Sequence, residues 1–134
     1  MVEPRGLIGV GMSGQLAKRL GTPSRASDAN LNGGAAFASA TAIGQFQFYV
    51  RANAQTSLNV YQLPNNAEVG SEYVVFNVGG VTGGVTANVY PPTGGQIYIG
   101  GVAGPTATLA AVVSGKSALF IAITASTFDA LLTA

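Results

Sequence analysis

The sequence predicts an all-β protein: a β-sandwich or jelly-roll-like domain behind an extended N-terminal arm that contains one short helix. Three observations lead there. From Ile43 onward polar and apolar residues alternate, which is the period of a half-buried strand and not of a helix. The alternating segments are short, and clusters of Gly, Pro and Asn separate them at intervals of about a dozen residues, the rhythm of a sandwich or barrel. Hydrophobic residues make up 48% of the 134 positions and charged residues 8%, the wrong balance for disorder and enough apolar surface for one core.

Residues 1–40 are assigned to the arm and residues 41–134 to the domain. Within the arm, Ser13 can cap a helix through Gln15–Leu20, with Leu16 and Leu20 on one face and Gly21 and Pro23 to stop it. From Thr22 to Ala42 the residues are small and polar, with Leu31 and Phe37 as anchors, so an extended path is expected. Strands follow at Gln45–Arg51, at Ser57–Leu63 before Pro64-Asn65-Asn66, and at Glu72–Val78. Gly79-Gly80 and Gly83-Gly84 punctuate the way to Val85–Tyr90, and Pro91–Gly95 separates that strand from Gln96–Ile99. Ala107–Val113 and Ser117–Thr124 flank Ser114-Gly115-Lys116, which reads as a hairpin turn. Thr127–Leu132 fits a last strand or a helical turn. Asn59-Val60-Tyr61 and Asn88-Val89-Tyr90 echo one another, through duplication or through similar constraints on two strand ends.

The chemistry-bearing residues are few. Cys, His and Trp are absent, which removes disulfides, thiol nucleophiles and imidazole catalysis, and with them the usual zinc ligands. Gly9-Val10-Gly11-Met12-Ser13-Gly14 spells a dinucleotide-binding fingerprint, and Asp28 lies at a suitable distance for a ribose. Its context does not fit: Thr22–Ser27 is no buried parallel strand and no alternating helices follow. Lys116 and Ser117 are neighbours, but Ser-Gly-Lys-Ser is turn chemistry, and Ala110 stands where a phosphate-binding loop needs its first Gly. The five acids are scattered. The five tyrosines fall at strand positions and fit core edges or an interface. No catalytic, cofactor or metal site is expected, and the protein is not expected to be an enzyme.

The net charge is +1, too small for a nucleic-acid binder. It divides unevenly: the first 28 residues carry +2 through Arg5, Lys18, Arg19 and Arg25 against Glu3 and Asp28, and the rest carry −1. The longest unbroken apolar run, Ala118–Ile123, is far short of a membrane span, and the first residues do not resemble a secretion signal. So sparse a set of charges does little to repel a second protein, and a homo-oligomer (a dimer or trimer) is expected.

Three stretches carry a resemblance: Val75-Phe76-Asn77, Val89–Ile97 with its Pro91-Pro92-Thr93-Gly94-Gly95 core, and Leu109–Ala122. Together, over about residues 72–128, they are similar to small β-proteins encoded among tailed-bacteriophage structural genes, several of them capsid decoration (cement) proteins. Phe128 stands where many such sequences place a Trp. The resemblance implies a virion structural subunit, made in the host cytoplasm, that binds the major capsid protein lattice or copies of itself on the capsid surface and stabilises the head. The arm would then bridge neighbouring subunits, with Leu7, Ile8, Leu16 and Leu20 as its anchors. A β-sandwich binding module of a phage fibre, tail or adhesin that recognises a host surface is the alternative. Neither needs a cofactor, nucleic acid or membrane.

Overall fold

The computed structural model describes residues 31–79, 85–100, 102–103 and 110–133. The expected helix near Ser13–Leu20, the glycine motif at 9–14 and the anchors Leu7, Ile8, Leu16 and Leu20 lie outside these residues.

The described chain is almost entirely strand. In order it forms β1 (Leu31–Asn32), a single 3₁₀ turn (Phe37–Ser39), β2 (Thr41–Ala42), β3 (Tyr49–Asn53), β4 (Val60–Gln62), β5 (Glu72–Asn77) and β6 (Ala87–Tyr90). Then come β7 (Gln96–Ile99), β8 (Val102–Ala103), β9 (Ala110–Val112), β10 (Ser117–Ala122) and β11 (Thr127–Leu132). Thr127–Leu132 is thus a strand. Among the described residues the strands make a seven-stranded sheet, ordered β1-β3-β5-β10-β11-β7-β8, and a four-stranded sheet, ordered β2-β4-β6-β9.

Alternation builds the core. β5 buries Tyr73, Val75 and Asn77, and β10 buries Ala118, Phe120 and Ala122. β6 and β9 of the smaller sheet supply Ala87, Val89, Ala110 and Val112 to the same cluster. Tyr73, Phe120 and Phe128 are fully buried at its centre, with Tyr73 and Phe128 edge to face at 6.0 Å.

Up to β7, successive strands alternate between the sheets. A chain that leaves one sheet, runs through the other and returns arrives in its original direction, so strands two apart pair in parallel. That holds for β1/β3, β3/β5, β2/β4 and β4/β6. Antiparallel pairing, which a jelly roll uses throughout, is found among the described residues at β5/β10, β10/β11, β6/β9 and β7/β8. Ser114-Gly115-Lys116 is a turn, with Lys116 N–H on the Val113 carbonyl at 3.0 Å and Gly115 at φ 76°. It is not a hairpin, however: β9 pairs with β6 and β10 with β5 and β11, so the turn carries the chain from one sheet to the other.

The Asn-Val-Tyr echo falls on adjacent parallel strands but one residue out of register, since Tyr61 lies beside Val89 and Gln62 beside Tyr90. A one-residue offset puts equivalent residues on opposite faces. Tyr61 is buried and Tyr90 half-buried against Phe37 at 5.1 Å. The echo therefore does not set equivalent residues in equivalent places.

Residues 31–42, expected as an extended path, are paired to the body through backbone groups. β1 lies beside β3, and Gly34 exchanges two hydrogen bonds with Val60, at 2.7 and 3.0 Å. The approach is so close that a Cβ at Gly34 would collide with the Ser39 carbonyl.

Two polar side chains, Tyr61 and Asn77, cross between layers, and a third, Tyr73, ties the core to the β2–β3 connection. The Tyr61 hydroxyl donates to the Leu31 carbonyl at 2.8 Å and that of Tyr73 to the Gln45 carbonyl at 2.6 Å. Fully buried Asn77 donates to the carbonyls of Val85 and Val112, both at 2.8 Å, and accepts from Gly79 N–H at 2.9 Å. Asn77 thus ties β5 of one sheet to β9 of the other and to the segment that leads into β6.

Candidate functional site

In the larger sheet the residues that alternate with core positions point away from the smaller sheet, and register sets them in rows. Tyr49, Val74, Leu119 and Leu131 stand side by side across β3, β5, β10 and β11. Two residues along the strands in one direction lie Arg51, Phe76 and Ser117. In the other direction lie Glu72, Ile121, Asp129 and Tyr98.

A sheet with one face in water ordinarily presents polar residues there. This face instead carries Tyr49, Val74, Phe76, Leu119, Ile121 and Leu131 as one contiguous group. Leu131 is 62% exposed and Tyr49 39%, and the other four are half-buried. The charges sit at its margins: Arg51 at one corner, Asp129 diagonally opposite, Glu72 beside Ile121. All three are exposed. Toward the β1 edge the face turns polar, where Asn53 and Gln55 both donate to the Asn32 side-chain oxygen at 2.8 and 3.3 Å. Apolar patches rimmed in this way mark contact surfaces.

A second feature is a cleft of about 420 Å³ where the β2–β3, β4–β5 and β6–β7 connections meet. Its walls include Gln45, Gln62, Asn66, Pro64, Pro92 and Thr93, with no charged side chain. The Pro92–Gly95 turn, with Gly95 N–H on the Pro92 carbonyl at 2.8 Å and Gly94 at φ 80°, shapes one wall.

The titratable residues are dispersed. No group of three potential metal ligands occurs among the described residues. Lys116 is exposed in the inter-sheet turn, while the Ser117 N–H is held by Thr133 Oγ1 at 2.9 Å. Tyr49 and Tyr98 lie on the outer face, whereas Tyr61 and Tyr73 are core residues. Burial pushes the Tyr61 hydroxyl up to about 12. Burial also pushes Tyr73 up to about 12, with the Glu68 charge adding to the rise and the Ser71 hydrogen bond opposing it. Both hydroxyls are neutral donors at any physiological pH. The anchors named from the sequence (Leu7, Ile8, Leu16 and Leu20) lie outside the described residues, so the surface that the structure offers is a different one. Its signal was present in the runs Tyr73–Phe76 and Ala118–Ile123, which are apolar at both parities.

No family model matches the chain, and neither a curated protein nor a solved structure matches it.

Proposed function

We propose that the chain is a structural subunit that acts by surface contact, as a capsid decoration subunit on the major capsid protein lattice of a tailed phage. The observation that carries the reading is the apolar outer face of the larger sheet, a contiguous patch with charges at its margins of the kind that marks contact surfaces. The low charge of the chain supports it. The resemblance over residues 72–128 supplies the setting, and two sheets on one core fit the β-sandwich that the resemblance implies. In this reading the work is done by buried area, repeated over a symmetric shell so that weak contacts add by avidity, with no cofactor. Leu7, Ile8, Leu16 and Leu20 are the proposed arm contacts to neighbouring shell subunits.

The test adds the purified chain to heads that lack a decoration layer and measures occupancy and resistance to heat. Saturable binding that raises the temperature of head disruption is expected, and absence of binding at micromolar concentration would refute the reading. The amide- and proline-lined cleft favours a second reading, a fibre, tail or adhesin module that recognises a host surface. Binding to host cells that is lost in Gln62→Ala and Asn66→Ala would select it.

A further inference from the structure

We propose that the outer face of the larger sheet is a self-interface, on which two copies of this chain pack face to face about a two-fold axis. The inference deepens the contact-protein reading and rests on it for the use of the surface, but it names a particular partner.

Symmetry and charge together point to a second copy as the occupant. A two-fold contact sets each patch against its own copy, so the patch must complement itself. Arg51 and Asp129 occupy opposite corners of the apolar group. They are three strands and four residues apart, about 20 Å on the ordinary spacings of a sheet. An axis between the two faces that bisects this diagonal sets Arg51 of each copy over Asp129 of the other, closing two ion pairs at the rim. The same operation lays Leu131, the most exposed apolar residue of the face, against the partner's Phe76. It also brings Leu119 and Val74 close to the axis, where each lies near its own counterpart. The strands of the two copies then cross at nearly a right angle, one of the two ways in which sheets pack. A strongly acidic or strongly basic partner would leave one of the two corner charges unmatched, whereas a second copy matches both.

The absence of Cys from the sequence makes the test clean. Sedimentation of the full chain should show a dimer. Leu131→Glu should give a monomer with an unchanged circular dichroism spectrum. Arg51→Asp and Asp129→Arg should each raise the dimer dissociation constant about tenfold, and the double exchange should restore it to within about threefold, since both rim pairs are rebuilt with reversed sign. Leu119→Cys, introduced as the sole cysteine, should form a disulfide-linked dimer on mild oxidation. A monomeric wild-type chain overturns the proposal, and so does a dimer that is indifferent to Leu131→Glu or a double exchange no better than the singles. In the first case the face belongs to the shell or to residues 1–30. A monomer that still binds heads would refute the self-interface and leave the decoration reading intact. A dimer with these properties that binds no head would do the reverse.

Discussion

The inner and outer faces of the larger sheet come from the same strands and differ by one residue of register, yet they do different work. On β10 the inner positions are Ala118, Phe120 and Ala122, and the outer ones are Ser117, Leu119 and Ile121. The outer set is no less apolar. What distinguishes the inner face is relief: small alanines at 52, 118, 122 and 130 let the smaller sheet come close, and Tyr73, Phe120 and Phe128 fill the space between. The outer face carries Tyr49, Val74, Phe76, Leu119, Ile121 and Leu131, and no second layer packs on it among the described residues. Hydrophobicity alone does not decide which face becomes the core; shape does.

Substitutions on the two faces test this contrast. The largest loss is expected for Phe120→Ala, which should cost about 3–5 kcal/mol in urea denaturation through the cavity it leaves. Asn77→Ala strands the buried Val112 carbonyl, the part-buried Val85 carbonyl and the Gly79 N–H, and about 2–3 kcal/mol should be lost by the same measurement. Gly34→Ala, on the backbone approach near Ser39, should cost about 1–3 kcal/mol. Tyr61→Phe should cost about 1 kcal/mol near neutral pH, the net worth of one hydrogen bond. The two core tyrosines also predict a pH dependence. Their folded values lie near 12 and the unfolded value near 10, so the native state holds their protons more tightly. Their contribution is complete below pH 10 and falls away as pH rises from 10 to 12. Urea midpoints across that window should fall less steeply in the Tyr61→Phe, Tyr73→Phe double variant. The smallest effect is on the other face, where Leu131→Ser should change the stability of the monomer, measured below the dimer dissociation constant, by less than about 0.5 kcal/mol. A fall comparable to that of Phe120→Ala would mean that the outer face is part of the core after all.

The strands that pack against a full layer were legible in the sequence. Gln96–Ile99 is bounded as expected and Glu72–Asn77 ends one residue early, but the strand expected at Gln45–Arg51 runs instead from Tyr49 to Asn53, with Gln45 and Phe46 in a turn. Leu31–Asn32 and Thr41–Ala42 were not legible, because two-residue strands held by backbone pairing to β3 and β4 leave no alternation to read. Nor was pairing. Alternation says which residues face a core but not which strand lies alongside, so a turn that joins two sheets at Gly115 looks like a hairpin. The outer face was visible in principle, since Tyr73–Phe76 is apolar at every position, which a strand with one wet face does not need. Its corner charges were not, because Arg51 and Asp129 become partners only through a register spanning four strands.

The place of β10 and β11 in the larger sheet has a bearing on how the protein is made. They lie between β5 and β7, although the ribosome delivers both of those first. About forty residues separate Asn77 from Ser117, or roughly 2–8 s of synthesis at usual rates. During that interval one edge of β5 waits for a partner that does not yet exist, flanked by Val74 and Phe76. An unpaired apolar edge is a template for the wrong strand, including the same strand of the next nascent chain on a polysome. Slower initiation, which spaces ribosomes along the message, should therefore raise the soluble yield more than a lower growth temperature, which also lengthens the wait.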